Sequence, residues 1–141
     1  MRRQTGVLSF AVAVFAACQT TAASDAGFPA VALTTATTDD GLLQVALRTS
    51  PTQPPPRANA KLDVLVTDAQ SKPVDGLTVT VLPWMPAMNH GSDVAPTVTP
   101  QGDGHYLAQP LELFMAGTWQ LRISLQKGAQ ESHVQPTVDV P

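Results

Sequence analysis

The chain of 141 residues carries one cysteine, Cys18, and so has no internal disulfide to staple it. A chain of this length can bury a real core without one, or without a structural metal. Charge is sparse, with 13% of residues charged and a formal net charge of −3. The basic residues Lys61, Lys72, Arg122 and Lys127 are scattered among acids, which argues against a surface that tracks phosphates and hence against nucleic acid. After residue 18 no stretch is long and apolar enough to span a bilayer. No segment there keeps a 3.6-residue apolar period, so long helices are not expected. A Gly-rich phosphate loop and a helical His-Glu-x-x-His element are both missing. No Ser-His-Asp arrangement can be placed either. The carboxylates nearest a histidine, Asp93 after His90 and Asp103 before His105, have spacings that compel no catalytic pair. A non-enzymatic protein is expected.

Export is written at the start. Met1-Arg2-Arg3 gives a short positive segment, and Val7 to Ala17 is an apolar run of signal-peptide length. The run ends Phe15-Ala16-Ala17-Cys18, which resembles the lipobox of bacterial lipoproteins. Acylation of Cys18 would remove a lone thiol from an oxidising compartment. Gln19 follows, and the lack of Asp there resembles outer-membrane sorting in Gram-negative lipoproteins. The expectation is an exported, periplasmic protein tied to the outer membrane through a lipid at Cys18. Simple secretion, with cleavage near Ala22-Ala23, is the alternative. Removing Arg2 and Arg3 leaves the remainder more acidic.

Residues 1–18 are thus expected to be a signal segment, 19–40 a flexible tether of Thr, Ala, Ser and Asp, and 41–141 the folded domain. Thirteen Pro and nine Gly point to many turns and short strands. Alternating apolar residues mark strands at Leu42–Thr49, Lys61–Asp68, Leu77–Leu82, His105–Leu113, Gly117–Leu125 and Ser132–Val140, with a shorter one at Val94–Val98. Pro83 and Pro86 are expected to end the Leu77–Leu82 strand. About seven short strands predict an all-β, immunoglobulin-like β-sandwich.

The unusual stretch is Pro83-Trp84-Met85-Pro86-Ala87-Met88-Asn89-His90-Gly91. Two of the four methionines, one of the three histidines and one of the two tryptophans fall here. Prolines stiffen the loop and Gly91 permits a sharp turn, so ordering several side chains costs little entropy. Thioether sulfur is a soft ligand and imidazole suits copper. Met85, Met88 and His90 therefore form a candidate Cu(I) site, with Met115 as a fourth donor and His105 as a more distant one. The same residues fit a second reading, in which Trp84 and Met85 close one end of the core, Met88 is a lid and His90 bonds within the turn.

Three segments together resemble the YtkA-like domain family: Pro83 to Gly91, then Gly104-His105-Tyr106, then Met115-Ala116-Gly117-Thr118-Trp119-Gln120-Leu121. The match covers roughly residues 60–125, most of the folded domain. That family is similar to the FixH-like small β-sandwich proteins of bacterial envelopes, some beside copper-handling systems. The resemblance implies an exported immunoglobulin-like fold and strengthens a copper role, carried by Met85, Met88, His90 and Met115. The expected function is binding or delivering copper, with a partner protein in the envelope. The competing expectation is a structural or protein-interaction module without metal.

Overall fold

The structure, a computed structural model, describes residues 27–141. The signal segment and Cys18 lie outside the described residues. Two antiparallel sheets pack face to face. The first runs, in spatial order, β1 (Thr34–Thr37), β2 (Leu43–Ser50), β3 (Asn59–Asp68), β7 (His105–Glu112) and β6 (Thr97–Gly102). The second runs β10 (Thr137–Val140), β8 (Gly117–Lys127), β4 (Thr78–Met85) and β5 (His90–Gly91), and β9 (Gln130–Val134) also pairs with β8. The order β2-β3-β7-β6 facing β9/β10-β8-β4-β5 corresponds to the A-B-E-D and G-F-C-C′ sheets of an immunoglobulin-like sandwich.

The strand count exceeds the expected one for three local reasons. Thr34–Thr37 forms an extra edge strand beside β2, although its threonines carry no apolar signal and the segment reads as tether. His90 and Gly91 fold back on Trp84 and Met85 as a two-residue strand. The last strand breaks in two around Pro136, whose carbonyl still accepts the Leu121 N–H at 2.8 Å. A second correction concerns β4, which does not stop at Pro83 but runs to Met85. The Pro83 carbonyl faces away from β8 and accepts the Ser92 N–H at 3.2 Å. In an antiparallel strand the nitrogen of the same residue faces that side too, where no ladder bond is required of it.

The core follows from the alternation. Leu62, Val64 and Val66 of β3 meet Val79 and Val81 of β4 and Trp119, Leu121, Ile123 and Leu125 of β8, all buried. Each fully buried aliphatic or aromatic side chain of this kind contributes about 1.5–3 kcal/mol. Tyr106 is buried with them; its hydroxyl donates to the Val74 carbonyl at 2.9 Å and accepts the Leu77 N–H at 3.1 Å. Burial pushes its pKa up.

A polar clasp joins the two sheets at one end. Asp40, in the β1–β2 turn, accepts the Ser132 hydroxyl of β9, the Thr38 hydroxyl at 2.6 Å and the Leu42 N–H at 3.0 Å. These bonds, that from Ser132 foremost, lower its pKa to about 2. Beside it the Asp39 carboxylate accepts the His133 N–H at 2.9 Å.

Candidate functional site

The Met/His segment sits at the end of β4 and is shaped by its own prolines. Met85 is the last residue of β4, and Pro86–Met88 makes a single 3₁₀ turn with Pro at its start. The chain reverses at Asn89, whose φ of 53° is left-handed and whose N–H bonds the Pro86 carbonyl at 3.2 Å. Asn tolerates that conformation better than most residues. Gly91 then passes close to β4: a Cβ there would lie 3.0 Å from the Pro83 carbonyl oxygen and 3.4 Å from the Trp84 ring. A side chain here would have to push the short return strand away from β4 by a few tenths of an ångström.

Pairing sets which side chains share a face. Met85 is directly opposite His90, so the two project to the same side of the hairpin, while Trp84 is opposite Gly91. The His90 ring stacks on Phe114 with centroids 5.4 Å apart and planes within 8°. Phe114 in turn meets Trp119 edge to face at 5.1 Å. The Trp119 indole N–H donates to the Met115 carbonyl at 2.9 Å. An aromatic row therefore ties the hairpin to the loop that carries Met115.

The four candidate donors are placed differently within this one end of the sandwich. Met88 is half exposed, at 51%. His90 and Met115 are half-buried, and Met115 packs against the core. Met85 belongs to the core itself, 3% exposed. Its methyl lies 3.2 Å from where a Cβ on Gly117 would stand, so this glycine leaves room for it. Met85 is thus the floor of the hairpin end, and its packing part is the one the second reading gave it.

His90 has one ring nitrogen engaged. Its Nδ1 lies 3.1 Å from the Gly91 carbonyl oxygen. A carbonyl only accepts, so Nδ1 is the donor, and in the neutral ring Nε2 holds the lone pair. A metal-binding imidazole likewise uses one ring nitrogen while the other donates a hydrogen bond. Among the described residues, no group of three or more His, Cys, Asp or Glu side chains is placed to hold a metal. A metal held at this hairpin would need thioether sulfur, and thioether with imidazole suits Cu(I).

The structure also contains a polar cluster that sequence reasoning missed. Asp63 faces outward from β3 yet is 1% exposed. Its Oδ2 accepts Arg48 Nε at 2.9 Å and Nη2 at 2.7 Å, and both its oxygens lie 3.0 Å from His105 Nδ1. The Arg48 guanidinium also donates to the Pro29 carbonyl at 3.4 Å and lies over the Phe28 ring, 5.7 Å from its centroid. The cluster fastens the entering chain to the first sheet. His105 is committed to this ion-pair group and faces away from the core, while the Met/His end is built around β4, β5 and the β7–β8 loop. A clue existed in the outward parity of Asp63, Arg48 and His105, but it becomes legible only once the register of β2, β3 and β7 is known.

Fold and hairpin together define a small immunoglobulin-like β-sandwich with a proline-braced Met/His end. The chain matches the YtkA-like family model over residues 40–124 and belongs to that family. This membership suggests a small envelope-associated protein. No curated protein and no solved structure matches the chain.

Proposed function

We propose that this protein is an exported, non-enzymatic copper-binding protein of the cell envelope, which holds Cu(I) at the Met/His hairpin and delivers it to a partner. The observation that carries this reading is the directly opposed pair Met85 and His90, with the His90 ring stacked on the neighbour of Met115. His90 Nε2 and the thioethers of Met88 and Met115 are the donors; Met85, in the core, is a third sulfur. A soft, low-coordinate set of this kind binds Cu(I) and releases it by ligand exchange. Met88, half exposed on its turn, is the ligand best situated for an incoming sulfur or nitrogen donor to displace.

Competition for Cu(I) against a chromophoric chelator, under reducing conditions, tests the reading. The parent protein withdraws copper from the chelator. Met88→Leu, Met115→Leu and His90→Gln each weaken the affinity by about tenfold or more, which corresponds to about 1.4 kcal/mol. A parent protein that leaves the chelator fully loaded removes the copper assignment.

The envelope location is proposed to depend on Cys18. Lipid at this residue would hold the sandwich at the outer membrane. Cys18→Ser is expected to move the protein from the membrane to the soluble periplasmic fraction. Unchanged fractionation, with no diacylglyceryl mass on the mature terminus of the parent, would leave simple secretion as the answer.

A further inference from the structure

The second sheet has an outer face that the hairpin does not use. The rows across it follow from register: Thr80 opposite Ser124, which is opposite His133, and Leu82 opposite Arg122. A shallow concavity of about 350 Å³ lies over these rows, lined among others by Thr80, Leu82, Arg122, Ser124, Glu131 and His133. Leu82 is 53% exposed. Arg122 is exposed as well, and its Cζ sits 4.3 Å above the Trp84 ring. Its Nε donates to the Gln120 side chain at 3.0 Å. No carboxylate pairs with it among the described residues.

We propose that this face docks an acidic segment of a partner protein, with Arg122 receiving an Asp or Glu carboxylate. Charge complementarity is the first argument. Arg122 is the one Lys or Arg side chain on the lining, and Asp139, the carboxylate at the far end of this outer face, accepts the Thr118 hydroxyl opposite it. The one carboxylate on its lining, Glu131, lies two rows away opposite Gln126 and 4.0 Å from His133 Nε2. Pre-organisation is the second. The indole beneath and the Gln120 bond fix the plane of the guanidinium, so its two terminal NH₂ groups present a fork that a carboxylate can accept with little further ordering. Composition is the third. Trp and Arg are the side chains that most often dominate binding energy at interfaces, and an exposed Leu beside them supplies apolar contact. Arg48, on the opposite outer face, shows the contrast: its Nε and one terminal nitrogen are already spent on Asp63. No metal is needed at the Arg122 face, so success or failure there is separable from copper binding at the hairpin.

The test is an NMR titration of the metal-free protein at neutral pH with a capped peptide of alternating Asp and Leu. Expected are saturable shifts at the Trp84 indole N–H, the Arg122 Nε–H and the backbone amides of Thr80 and Ser124. The same peptide with Asn for Asp produces none. Arg122→Gln, an exposed change that leaves the remaining amide spectrum intact, weakens the interaction by about tenfold or more. Arg122→Lys recovers only part of it, because an ammonium lacks the fork. Absence of saturable shifts at millimolar peptide overturns the proposal, as does equal binding of the Asn peptide. Matching shifts from inorganic phosphate overturn the acidic-protein assignment and leave a general anion site.

Discussion

His105 and His90 are both half-buried, and each engages one ring nitrogen. Around His105 the polar valences are filled from within: Asp63 takes two bonds from Arg48 and lies 3.0 Å from the imidazole, and Arg48 also reaches back to Pro29. Around His90 the partners are a single carbonyl and a stacked ring, with Met85 directly opposite on β4. The first set is a closed ion-pair group that fixes chain position. The second is an aromatic stack with one polar contact. The two half-buried histidines thus differ in their neighbours, a carboxylate already shared with Arg48 at His105 and a stacked ring at His90.

Removing Asp63 should have the largest effect on stability. Asp63→Ala removes the buried carboxylate that Arg48 and His105 share, and breaking a buried pair in this way costs about 3–5 kcal/mol. Urea unfolding checks it, and Cu(I) affinity measured on the folded variant should stay unchanged. Equal loss at both sites would erase the distinction between them.

Met85 separates packing from ligation. Met85→Ala opens a cavity in the core and is expected to cost about 2–5 kcal/mol. Met85→Leu keeps the volume and should cost less than about 1.5 kcal/mol. Chelator competition on the Leu variant then reports the sulfur alone. Retained affinity assigns Met85 to the floor of the site, and reduced affinity adds it to the ligands.

Acid should loosen the sheet-to-sheet clasp. The Asp40 pKa is about 2 in the folded protein, below its ordinary 3.8. Folding therefore favours the ionised form. The stability it lends is complete above about pH 4 and disappears as the pH falls toward 2. Asp40→Asn should flatten this part of the pH dependence in thermal unfolding curves. Met88→Leu, an exposed change, should move stability by no more than about 0.5 kcal/mol while lowering Cu(I) affinity. A large loss of stability would instead make Met88 a packing residue.

The alternation Leu62, Val64, Val66 was legible from sequence because an inward face repeats every second residue whatever the partner strand. Trp119 follows the same rule, as one of the alternating apolar positions of the expected Gly117–Leu125 strand. The burial of Asp63 was not, since it depends on which residues of β2 and β7 lie beside it. Thr34–Thr37 was hidden because a short edge strand needs little apolar surface. Pro83 was misread for a related reason: a proline ends a central strand but is tolerated where its nitrogen faces an edge, and edges are defined only by the finished sheet. At the hairpin, composition identified the segment. It could not divide Met85 in the core from Met88 in solvent, because a methionine suits both.

X-ray absorption at the copper K-edge of the Cu(I)-loaded protein addresses the ligand set directly. Two or three sulfur scatterers with one imidazole are expected, and the imidazole signal should vanish in His90→Gln. A spectrum of nitrogen and oxygen scatterers alone, the same in that variant, would place copper elsewhere on the protein and contradict the account.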